Sequence, residues 1–192
     1  MSKEIVILSN SSLRVREVVD IIETGSKEIL KNIKVIITAG ELLHYMLKNP
    51  DKMGLKGNIY YNLGANSAVS VFDGLDFAET KDMSKADFVF MGSVKEDNDT
   101  LEKYTDKLEY AASLGLDFLC VGNDVATYKN GEICLGSGAV AEQYALLGGR
   151  VITMGKPNKQ MIDYAKECFS DKFANFIFGY PSSVSLLPYF NI

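Results

Sequence analysis

The apolar runs of this chain are continuous rather than alternating, and that restricts its fold more than any other feature. Ile5-Val6-Ile7-Leu8, Val35-Ile36-Ile37, Phe88-Val89-Phe90-Met91, Phe118-Leu119-Cys120-Val121 and Val151-Ile152 are apolar at successive positions. A strand with one wet face alternates apolar and polar residues. A run that is apolar throughout is covered on both faces, as in parallel sheets flanked by helices. The expected strands are 4–8, 34–38, 58–63, 88–91, 118–121, 151–154 and 176–178. Between them lie helical patterns over 12–24, 40–48, 99–114, 139–147 and 159–169. Asp99-x-x-Glu102 reads as a capping box opening the longest helix, and Gly115 as its stop. The alternation of β and α segments predicts an α/β protein with mainly parallel sheets.

With 192 residues, 47% of them apolar, the chain can bury a core of one domain or two small ones. The middle reads as separable. Residues 51–57 are polar and contain two glycines, and Asn130-Gly131 is a turn signal followed by two more glycines. We therefore expect residues 55–137 to form an inserted α/β unit, with 1–54 and 138–192 belonging to a second sheet. The net charge of −5, without a Lys/Arg cluster, argues against a nucleic-acid partner. No run approaches the roughly 18 apolar residues of a membrane span, and the amino terminus does not resemble a signal peptide. Cys120, Cys134 and Cys168 form no Cys-x-x-Cys, and Cys120 reads as a reduced core thiol. The expectation is a soluble, cytoplasmic protein with no membrane association.

Three polar segments stand where α/β proteins place ligands, at the carboxyl ends of strands. Ser9-Asn10-Ser11-Ser12 offers hydroxyls and N–H groups suited to an anion such as phosphate, although helix capping explains the same residues. Lys156, in Gly155-Lys156-Pro157, is a fixed positive charge facing an anion, or a solvated loop lysine. Asn123-Asp124 could orient a polar group of a substrate or simply form a turn. Gly136-x-Gly138-x-x-Ala141 matches a dinucleotide fingerprint superficially. Its preceding strand is short, however, and a lysine stands where the ribose-binding acid belongs. Glu96-Asp97-Asn98-Asp99 lacks the spacing of a calcium loop. His44, the single histidine, reads as a helix-surface residue, and one histidine cannot build a two-histidine metal site.

The ordered set Leu8-Ser9-Asn10-Ser11-Ser12, Ile36-Ile37-Thr38-Ala39-Gly40-Glu41, Asn123-Asp124, Gly138-Ala139-Val140-Ala141-Glu142-Gln143-Tyr144 and Gly155-Lys156-Pro157 resembles haloacid-dehalogenase-superfamily phosphohydrolases of subfamily IIA. The resemblance covers about residues 4–168 and is most specific over 136–157. It implies a Rossmann-like core with an α/β cap inserted between the second and third motifs. It further implies that Ser9 hydrogen-bonds the transferred phosphoryl group and that Lys156 neutralises it. Asn10, Ser11, Asn123 and Asp124 would face a small phosphorylated metabolite.

The sequence also departs from that pattern. Family members carry an Asp-x-Asp-Gly-type segment that supplies the nucleophile and the general acid; this sequence starts at about the following strand. The family's magnesium-binding acids follow the last core strand, where this sequence reads Gly179-Tyr180-Pro181-Ser182-Ser183 with no carboxylate after Asp171. Leu13 stands where an arginine is common, with Arg14 next to it. The expectation is an incomplete core, shortened or split, that holds no metal within this chain and is inactive alone as a hydrolase. Glu41 is conceivable as a substitute carboxylate. A companion chain or a second copy would complete the site. The alternative is a non-catalytic phosphate- or nucleotide-binding interaction protein.

Overall fold

The computed structural model describes residues 5–168, apart from 26, 32 and 130. The expected strand at 176–178, Asp171 and residues 179–183 lie outside the described residues. The chain opens with β1 (Ile5–Ser9), α1 (Val15–Gly25), α2 (Lys27–Leu30), β2 (Ile33–Thr38) and α3 (Ala39–Met46). β1 and β2 pair in parallel, ending with Ser9 opposite Thr38. A second sheet is built from β3 (Ile59–Asn62), β4 (Ala78–Thr80), β5 (Phe88–Met91), β6 (Asp117–Val121) and β9 (Val151–Met154). Its order is β4-β3-β5-β6-β9, and all its neighbours are parallel. α4 (Thr105–Ser113) and α5 (Ser137–Leu146) cross over between its strands, an antiparallel hairpin of β7 (Ala126–Lys129) and β8 (Glu132–Leu135) precedes α5, and α6 (Lys159–Cys168) follows β9.

The continuous apolar runs of β5 and β6 are covered on both faces, as their composition requires. Phe88 and Phe90 of β5 and Leu119 and Val121 of β6 point to one side, into a cluster with Leu42 and Leu43 of α3. Their alternates, Val89, Met91, Phe118 and Cys120, point to the other side and pack with Leu108 of α4 and Val140 and Tyr144 of α5. On the α3 side Tyr60 stacks on Phe72 with centroids 4.1 Å apart, and Phe90 meets Phe72 edge-on at 4.8 Å. Offset and edge-on aromatic packing of this kind adds to the burial term. The same cluster includes Ile37 of β2, so the two sheets share one core.

Several details differ from the sequence reading. The sequence groups 151–154 with the flanking segments, but β9 hydrogen-bonds to β6 with Leu119 opposite Ile152. The larger sheet therefore extends to Met154, past the expected boundary at 137. The expected helix at 99–114 begins instead as a 3-10 turn, Leu101–Tyr104, that runs into α4. Asp99 is not its cap: the carboxylate folds back to accept hydrogen bonds from Lys95 N and Glu96 N. α1 starts at Val15 rather than Ser12. His44 is buried, with Nδ1 2.9 Å from the Val71 carbonyl, and joins α3 to the 3-10 segment Asn66–Phe72. A helix-surface histidine would have faced water; this one is covered because the 66–72 segment lies across α3.

Candidate functional site

β1, β6 and β9 each end in a loop, and the three loops meet. Leu8, Ser9 and Asn10 come from β1, Gly122, Asn123 and Asp124 follow β6, and Gly155, Lys156 and Pro157 follow β9. The Lys156 ammonium donates to the Leu8 carbonyl at 2.9 Å. The Lys156 amide donates to Asn10 Oδ1 at 2.6 Å. Asn10 Nδ2 donates to Asp124 Oδ1 at 3.1 Å and lies 3.4 Å from both Asn123 Oδ1 and the Lys156 carbonyl. All six residues singled out by sequence, Ser9, Asn10, Ser11, Asn123, Asp124 and Lys156, therefore lie in or beside one constellation. Residues far apart in sequence meet here because parallel strands deliver their carboxyl ends to the same side.

Two glycines make the approach possible. Gly122 has φ +77°, and a Cβ there would stand 2.8 Å from the Asn10 carbonyl. Gly155 has φ +139°, and its Cβ would stand 2.9 Å from Asn123 Oδ1 and 3.0 Å from Asn10 Oδ1. Any side chain at either position would combine backbone strain with a steric push on the Asn10 junction. The sequence pointed to Gly155 only as part of the turn holding Lys156, and to Gly122 not at all, although both stand between an apolar run and a polar group.

The Ser9 hydroxyl accepts a hydrogen bond from Ser11 N at 3.1 Å, and among the described residues none takes its proton, which is available to a ligand oxygen. Ser11 Oγ accepts from Leu13 N. The next two amides are taken by carboxylates, Arg14 N by Glu17 and Val15 N by Glu41. The amides of Ser11, Leu13, Arg14 and Val15, leading into α1, are thus already compensated. Of the side chains here, Ser9 and Lys156 offer an anion a hydroxyl and a positive charge. Among the described residues no carboxylate pairs with the Lys156 ammonium. A half-buried cation without a counter-charge, next to a hydroxyl with a free proton, is suited to an anionic ligand.

The carboxylates near the site are committed elsewhere. Glu41 forms a two-pronged pair with Arg14, Nε to Oε2 at 2.8 Å and Nη2 to Oε1 at 2.9 Å. Burial pushes the Glu41 carboxyl up, but the bonds from Arg14 and Val15 N outweigh it and hold it below the usual range. It is an anchor between α1 and α3 rather than a free nucleophile. Asp124, the other acid, is engaged by Asn10. Magnesium takes an octahedral shell with one or two available carboxylates. Among the described residues the site offers one carboxylate, already bonded, beside an uncompensated ammonium.

The glycines of Gly136-x-Gly138 have a packing role. A Cβ on Gly136 would collide with the Asp124 carbonyl, and one on Gly138 with the Asn123 carbonyl. Gly138 N donates to the Asp124 carbonyl at 3.1 Å, and Ser137 Oγ to the Gly122 carbonyl at 2.9 Å. The amino end of α5 thus braces the 122–124 loop, and that loop lies where a dinucleotide's pyrophosphate would need to approach. Cys120 is fully buried, and that burial pushes its thiol up to about 12, so it is an inert core group.

No protein-family model matches the chain, and no curated protein matches it. Solved structures do. A haloacid-dehalogenase-like hydrolase from Brucella suis superposes with a TM-score of 0.76 at 24% identity, covering 86% of this chain and 59% of that one. A 4-nitrophenylphosphatase from Thermotoga maritima superposes with a TM-score of 0.61 at 22% identity, covering 87% of this chain and 61% of the other. A glycerol phosphate phosphatase from Mycobacterium tuberculosis gives 0.61 at 13% identity, over 84% and 47%. The chain spans about three fifths of the length of the first two. Over the superposed part, the parallel sheets and crossover helices of this chain share the fold of these solved hydrolases.

Proposed function

We propose that this chain binds the phosphoryl group of a small phosphorylated metabolite as a phosphohydrolase-like protein, and that the polypeptide of this sequence alone does not hydrolyse it. The observation that carries the reading is the Lys156 ammonium, anchored on the Leu8 carbonyl and without a paired carboxylate, beside the free hydroxyl proton of Ser9. Lys156 supplies the charge and Ser9 a directed donor; together they hold two phosphoryl oxygens in a fixed place. Turnover through a covalent intermediate would need a carboxylate poised to attack. Glu41 is locked by Arg14 and Asp124 by Asn10, so neither is poised. Among the described residues β1 and β2 form a sheet of only two strands, and parallel pairs are seldom left so narrow. That edge is open to a further strand, from residues outside the described ones, from a companion chain or from a second copy.

The test is a titration with inorganic phosphate, followed by an assay with 4-nitrophenyl phosphate in the presence and absence of magnesium. Phosphate should bind, and Lys156→Met should weaken it at least about tenfold, the scale of one lost charge-assisted contact. Equal binding by parent and variant would remove the cradle. Magnesium-dependent turnover by the parent, lost in the variant, would show that the polypeptide supplies its own nucleophile.

A further inference from the structure

We propose that Asn10 is a positioning residue: it is the joint that sets Lys156 and Asp124 relative to the Ser9 hydroxyl, and it does not itself grip the ligand. This rests on the phosphoryl-binding reading above. An amide side chain such as that of Asn10 has one oxygen that accepts and one nitrogen that donates two hydrogens. The Asn10 oxygen lies 2.6 Å from Lys156 N, a group that can only donate. Its nitrogen faces the Asp124 carboxylate at 3.1 Å, with Asn123 Oδ1 and the Lys156 carbonyl at 3.4 Å. Flipping the amide would set nitrogen against an N–H and oxygen against a carboxylate, so one orientation is enforced. In that orientation both donor hydrogens face protein acceptors, and none remains for a substrate.

The placement gives the joint its leverage. Leu8 and Asn10 flank Ser9, and they hold the two ends of Lys156: Leu8 the ammonium through its carbonyl, Asn10 the main chain through its amide. The distance between the cradle's cation and its hydroxyl is therefore set by the neighbours of Ser9. Through Asp124 the same amide ties in the loop braced by α5. A change at Asn10 should move the cation and the 122–124 loop together while leaving both ligand-binding groups chemically intact.

The test uses the full chain and the variants Asn10→Ala, Asn10→Asp, Asp124→Asn and the double variant N10D/D124N. Two readouts are taken: hydrogen-exchange protection of the Lys156 amide without ligand, and affinity for inorganic phosphate. In Asn10→Ala the Lys156 amide should lose about tenfold of its protection, the scale of one buried hydrogen bond, and phosphate should weaken comparably. Asn10→Asp sets a carboxylate against Asp124 and should weaken phosphate at neutral pH, recovering towards about pH 5 as the pair takes up a shared proton. The double variant keeps an acceptor for Lys156 N and preserves the other bond with its roles exchanged, the amide on the β6 loop now donating to the carboxylate on the β1 loop. It should recover phosphate affinity to within a few-fold, as coupled neighbours do.

A double variant that is folded, by circular dichroism, but binds no better than Asn10→Asp overturns the joint. So does Asn10→Ala with unchanged Lys156 protection. If Asn10→Ala fails to fold, the exchanged pair carries the test. The expected exchange pattern in a parent that binds no phosphate supports the joint and removes the phosphoryl reading instead.

Discussion

Asp99 is almost inaccessible, yet it collects four donors: Lys95 N and Glu96 N at 3.1 Å, Lys103 Nζ at 2.7 Å and Tyr104 Oη at 2.5 Å. Burial alone would push this carboxyl up. The bonds from Lys103, Tyr104 and Glu96 N outweigh it and hold the group at about 2. A folded-state value below the unfolded one means that the stabilisation is fully present above about pH 4 and is lost as the pH falls towards about 2. Asp99→Asn should cost about 1–3 kcal/mol at neutral pH, because an amide cannot accept from all four donors. Chemical denaturation of parent and variant should show that gap closing between about pH 4 and pH 2. A gap that is constant across that window would mean that the charge contributes nothing. The sequence suggested a helix cap here because Asp99-x-x-Glu102 has the right spacing. Spacing does not reveal which amides a carboxylate meets, and these lie before it rather than after it.

At the scale of elements, α5 is the part whose start matters most. Gly138→Ala would drive a methyl group into the Asn123 backbone carbonyl, so the 122–124 loop must lift. We expect a loss of about 1–3 kcal/mol, the usual cost of overpacking, read as a lower melting temperature. Weaker phosphate binding should accompany it, because Asp124 then leaves Asn10. Unchanged melting and affinity would mean that the loop yields without cost. The long elements were legible because their signal is local: continuous apolar runs gave the strands β1, β2, β5, β6 and β9. β4 was missed, since Ala78-Glu79-Thr80 is short and has little apolar content. Of the hairpin, the Asn130-Gly131 turn and the short strand 132–135 were legible, and β7 was not. The site residues were legible one strand end at a time, through hydroxyls, an amide pair and a lysine after apolar runs. The bonds among them were not, because they depend on strand order: β9 beside β6, with both carboxyl ends reaching β1.

For the whole molecule, the junction between the two sheets decides how the chain unfolds. Ile37, Leu42 and Leu43 from the first sheet and its helix share one apolar cluster with Phe72, Phe90 and Leu119 from the second. Polar ties run along the same junction: Glu17 accepts from Ser70 Oγ at 2.8 Å, and His44 meets the Val71 carbonyl. The exposed Arg16–Asp73 pair adds little, since solvent screens it. At the centre lies Gly92, immediately after β5. A Cβ there would overlap that of Ala68 and approach the Ser12 Cβ to 3.1 Å. Three chain segments cross at that point, one from the Ser9–Ser12 loop, one from the 66–72 segment and one from the sheet. Shared burial of this kind predicts a single cooperative unfolding transition, without separate melting of 5–46 and 59–154. Gly92→Val should force the segments apart, lowering stability by about 1–3 kcal/mol through overpacking. It should also weaken phosphate binding, because Ser12 lies on the same short loop as Ser9. Thermal melts followed by both circular dichroism and tyrosine fluorescence check this. A parent with two resolved transitions, or a Gly92→Val variant that melts with the parent's midpoint, would show that the sheets are joined loosely and that the cradle does not depend on their contact.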